Sequence, residues 1–101
     1  MSLRGAPLEQ EVKLPDGRVV QVRVGIAEDS YIPQRDLDTV VIELWDESRG
    51  EHLAGVATLL SAGDVTAAGV LLRRAVAGLG DGSLVPTAGA LEPLADSVPS
   101  R

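Results

Sequence analysis

The chain has no cysteine and no phenylalanine, and Tyr31 and Trp45 are its only large rings. Without cysteine there are no disulfides, thiolate nucleophiles or Cys-based zinc sites, and the disulfide-stapled secreted class is excluded. With so few rings, the core has to be built from Val, Leu, Ile and Ala. Cations are also scarce: nine basic residues, of which Lys13 is the single lysine, face fifteen acidic ones and give a formal net charge of -6. A field of that sign repels polyanions, so no nucleic-acid partner is expected.

His52 is the only imidazole, and no serine stands in a G-x-S-x-G elbow, so nucleophilic triads have no support. The longest weakly charged stretch, Leu53 to Leu72, is interrupted by Asp64, whose carboxylate would cost about 3 kcal/mol at a bilayer centre. The opening MSLRGAPLEQEVKL lacks the apolar run of a signal peptide. The expectation is a cytoplasmic protein with no membrane partner.

The clearest local signal is a pair of alternating runs around Pro15-Asp16-Gly17. Proline fixes φ near -65° and glycine accepts a positive φ, which suits a three-residue loop with a bulge. Leu14 then opposes Arg18, Val12 opposes Val20, Glu11 opposes Gln21, Glu9 opposes Arg23 and Leu8 opposes Val24. A two-residue loop would set Val12 against Gln21 and mix the faces. The apolar face is Leu8, Val12, Val20, Val22, Val24 and Ile26. Residues 27–38 are polar and acidic and read as a long loop. Thr39 to Trp45 reads as a third strand, with Val40, Ile42 and Leu44 inward and Val41, Glu43 and Trp45 outward.

Ser48-Arg49-Gly50-Glu51 has the pattern of a capping box and predicts a helix from about Arg49 to Ala62. Asp64 then caps a second helix whose inner face is Val65, Ala68, Leu72, Ala75, Val76 and Leu79. The Gly- and Pro-rich remainder reads as a mobile tail. The expected fold is α+β: a three-stranded, largely antiparallel sheet with a helical hairpin on one face, forming a single domain over residues 1–80, and a flexible C-terminal tail over 81–101. Gly63-Asp64, Ala68, Leu72 and Ala75 resemble the second helix of a tetratricopeptide repeat. The resemblance covers one helix and implies helix-hairpin packing only. His52, Gly55 and Val56 depart from that family's first helix, and the chain holds no second repeat.

Candidate chemistry is sparse. On a helix His52 would face Gly55, Val56 and Leu59, none of which can ligate a metal. Glu28, Asp29, Asp36 and Asp38 offer oxygen atoms without the spacing of a dedicated calcium loop. Gly78, Gly80 and Gly82 follow a helix, whereas phosphate-cradling glycines precede one. No catalytic, cofactor-binding or metal-binding residue is therefore expected. What remains is surface: Trp45 with Val41 on the outward sheet face, and an uncharged helix presenting Gly55 and Thr58. These four residues are the expected partner-binding set. The function they suggest is a non-enzymatic interaction module, an accessory, adaptor or chaperone-like subunit that self-associates as a homo-oligomer or binds another protein. The alternatives are a small enzyme or metal-dependent binding protein using the acidic loop 28–38 and His52, and an acidic inhibitor or immunity-type protein.

Overall fold

The computed structural model describes residues 3–96, and the last residues of the expected tail lie outside them. The protein is α+β. Four strands, β1 (Leu3–Lys13), β2 (Val19–Ala27), β3 (Leu37–Asp46) and β4 (Glu51–Ser61), form one antiparallel sheet in sequence order. One main helix, α1 (Val65–Asp81), and a short one, α2 (Glu92–Asp96), follow. None of the described helices is long and apolar enough to cross a membrane.

The first hairpin has the expected register, with Val12 opposite Val20 and Leu8 opposite Val24. Leu14 N–H donates to Arg18 O at 2.8 Å and Gly17 N–H to Leu14 O at 2.9 Å, closing the three-residue loop. Gly17 has φ 93°, a conformation that side chains with a Cβ resist. Asp16 braces the turn by accepting from Arg18 N at 3.0 Å and from Arg18 Nε at 2.9 Å.

The predicted first helix is a strand. Residues 51–61 pair antiparallel with β3, so the sheet has four strands and, among the described residues, there is no hairpin of two full helices. Two causes are visible. Asp46 Oδ1 accepts from Ser48 N, Ser48 Oγ and Arg49 N, which turns the putative capping serine into part of a tight loop over residues 47–50. Gly50, at φ 61°, takes the left-handed position that ends it. The second cause is tertiary: pairing with β3 puts Ala54 and Leu60 into the core beside Leu44 and Val40. Ala and Leu favour a helix and Val and Thr a strand, each by well under about 1 kcal/mol per residue, so tertiary pairing prevails.

The core lies between the sheet and the helical layer. Val20, Val22 and Val24 of β2 and Ile42 and Leu44 of β3 are buried against Leu71, Ala75 and Leu79 of α1. Asp64 caps α1 as expected, accepting from Ala67 N at 2.9 Å. Its inner face is centred on Leu71 and not on Val65, which is 72% exposed. The helix runs past Gly78 to Asp81 and stops at Gly82, φ 83°.

The segment expected to be a flexible tail packs on the body as far as Ala95. Leu91 is buried in the core cluster, and Leu84 and Leu94 pack against it. Leu84 N–H donates to Gly78 O at 2.9 Å, and a Cβ on Gly78 would come within 2.9 Å of Leu84 Cβ. The missing side chain at Gly78 is what lets the chain fold back. α1 covers the β1 and β2 side of the sheet, and α2 lies against β4.

Candidate interaction surface

Strand parity sends alternate side chains to the face away from α1. Registered across the sheet, one row of that face reads Glu9, Arg23, Glu43, Gly55, and the next reads Glu11, Gln21, Trp45, His52. A third is Gly25, Val41, Ala57. Three of the four residues expected to bind a partner, Val41, Trp45 and Gly55, therefore share one face. Thr58 does not join them. It opposes Val40 on the helix-covered side, because β4 has period two where a helix would have turned Thr58 outward.

The rows are linked by polar and ring contacts. Glu9 Oε1 lies 3.3 Å from Arg23 Nε, and Glu9 Oε2 accepts from Gln21 Nε2 at 3.0 Å. Arg23 Nη2 donates to Gln21 Oε1 at 3.2 Å, while its guanidinium carbon sits 5.6 Å from the Trp45 ring centroid. The His52 ring meets Trp45 edge-on at 5.0 Å between centroids, and His52 Nε2 is 3.6 Å from Glu43 Oε2. Gly55 makes this possible: a Cβ there would meet His52 Nε2 at 3.0 Å. A bulge between Leu44 and Trp45 makes Leu53 the extra residue and returns His52 to the open face. Trp45 Nε1 is buried and has no acceptor among the described residues. The rest of the indole is half-buried, and large rings of this kind are enriched at binding hot spots.

Neither the tail nor the acidic loop covers Trp45. The segment after α1 packs on the opposite side of the sheet. The loop closes the far end of β3, where Ile32 N–H donates to Leu37 O at 2.8 Å and Thr39 N–H to Ser30 Oγ at 3.2 Å. Asp29 and Asp36 take left-handed conformations in it, φ 56° and 52°. Tyr31 OH donates to Asp36 Oδ1 at 2.7 Å, which raises the Tyr31 pKa. Asp38 is buried on the helix-covered side of β3. Among the described residues, no group of three His, Cys, Asp or Glu side chains is placed to hold a metal ion. The loop and His52 are also not brought together: His52 opposes Trp45, at the other end of β3 from Leu37.

The two edges of the sheet complete the surface. β1 carries Pro7, a bulge between Arg4 and Leu8, and Glu9, Glu11 and Lys13. β4 pairs with β3 on one side and, among the described residues, has no strand on the other; it carries no charge from Leu53 to Ser61. Sequence reasoning found the lack of charge but assigned it to a helix. The turn signature Asp46 to Gly50 between two apolar runs was the available sign of a hairpin. No family model, curated protein or solved structure matches the chain.

Proposed function

We propose that the protein is a non-enzymatic interaction module that binds a protein through the open sheet face around Trp45 and the adjoining edge β4. The supporting observation is the position of Trp45: half-buried and flanked by Arg23 and His52, on the strand next to an edge strand that carries no charge from Leu53 to Ser61. Ala57 is exposed and Val41, 7% exposed, is buried beside it, and the charged pair Arg23 and Glu43 lies in the row between them and Trp45. Interfaces of this composition take their specificity from the rim and their affinity from the central ring.

Light scattering at high micromolar concentration, with affinity capture from lysate, tests this. A stoichiometric complex, with a second copy or another protein, is expected for the unmodified chain and should be weakened in Trp45→Ala at unchanged circular dichroism. A chain that stays monomeric and captures no stoichiometric partner would overturn the reading.

A further inference from the structure

We infer that the partner of the β4 edge is a second copy of this chain, paired antiparallel about a two-fold axis at Ala57, so that the two sheets continue as one. This rests on the interaction reading above and names its partner.

The first reason is the contrast between the edges. A strand edge is a row of unpaired N–H and C=O groups, and proteins that stay apart guard it with charge, proline or a bulge. β1 has all three. β4 is long, eleven residues, and has no proline; its single bulge, at Leu53, leaves Ala54 to Ser61 in regular pairing with β3, and the one helix that lies against it, α2, is only five residues long. The second reason is charge. Two copies at -6 each repel, so a self-contact must keep its carboxylates apart. Parallel pairing in register would set Glu51 beside Glu51 at about 5 Å. Antiparallel pairing at Ala57 separates them by more than about 30 Å, several screening lengths at physiological salt.

Side-chain size supplies the third reason and fixes the register. With Ala57 on the axis, Leu60 opposes Ala54 of the second copy, Leu59 opposes Gly55 and Val56 opposes Thr58, so each large residue meets a smaller one. Directly opposed residues share a face. The helical layers then lie on one side of the joined sheet and the two Trp45 patches on the other. Moving the axis to Val56 would instead bring Leu60 against His52, across the bulge.

The absence of native cysteine makes the test direct. Opposed Cα atoms at a two-fold antiparallel pair are about 4.5–5.5 Å apart, within disulfide range. Under mild oxidation, Ala57→Cys should give a covalent dimer several-fold faster than Glu11→Cys on the other edge. Ala57→Lys should yield a folded monomer, and sedimentation equilibrium should show the unmodified chain as a dimer at high micromolar concentration. A monomeric unmodified chain, or equal cross-linking of the two cysteine variants, would overturn the proposal. A dimer abolished by Trp45→Ala but untouched by Ala57→Lys would also overturn it while leaving the interaction reading standing, as would a stoichiometric complex with a different protein.

Discussion

The helix-covered face of the sheet holds Val20, Val22, Val24, Ile42 and Leu44 at no more than 1% exposure, while the opposite face holds Glu9, Arg23, Glu43, Trp45 and His52 in ion-pair and ring contacts. The same four strands build both. On the covered face each aliphatic side chain removed from water contributes about 1.5–3 kcal/mol, and that face accounts for the fold. The open face contributes less: Val41 is buried and Trp45 half-buried there, but its solvent-exposed ion pair is worth about 0–1 kcal/mol.

Substitutions should separate the faces by size and kind of effect. Leu44→Ala, in the covered core, is expected to lower unfolding free energy by about 2–5 kcal/mol in urea titration. Trp45→Ala on the same strand should cost about 1–2 kcal/mol, the sum of its ring and cation contacts, and should weaken association. If the two destabilise equally, the division between the faces is wrong. Gly17→Val should cost about 1–3 kcal/mol because it strains the left-handed turn position without touching either face. Asp64→Ala, which removes the cap of α1, should cost about 1 kcal/mol. An unchanged melting temperature in either would count against the assigned turn or cap.

The smallest expected effect is on pH. The Ser48 hydroxyl, with the N–H groups of Arg49 and Ser48, holds Asp46 below its ordinary value of 3.8, and the Ser48 and Arg49 bonds exist only in the folded turn. Asp16 is lowered in the same sense by Arg18, and Asp81 by Ser83. A depressed folded pKa means that the unfolded chain binds the proton more readily. The stability these groups supply is therefore complete above the ordinary aspartate value and is lost as pH falls through it toward the lower folded value. Asp46→Asn should flatten the acid limb of the stability curve, and an unchanged limb would remove Asp46 from this role.

What could be read from the sequence was what local chemistry determines. The Pro-Asp-Gly turn and strict alternation set the first hairpin, and Asp64 set the start of α1. The Val41 and Trp45 side of β3 followed from alternation alone. β4 was hidden because LAGVATLLS satisfies both a helical and a two-residue period, and its actual state depends on β3, a non-local partner. Thr58 was misplaced for the same reason, while Gly55 reached the site by a strand parity that a helical reading does not contain. The tail was misread because its few apolar anchors, Leu84 and Leu91, are spaced among glycine and proline. The contact that docks Leu84 depends on the empty space at Gly78.

Hydrogen exchange measured residue by residue at low and high protein concentration tests most directly whether the open side and its β4 edge form the contact surface. Amides between Ala54 and Leu60 that point away from β3 should exchange quickly in dilute protein and become protected as concentration rises, while outward amides of β1 stay fast. Protection that is independent of concentration, or that appears on β1 instead, would contradict it.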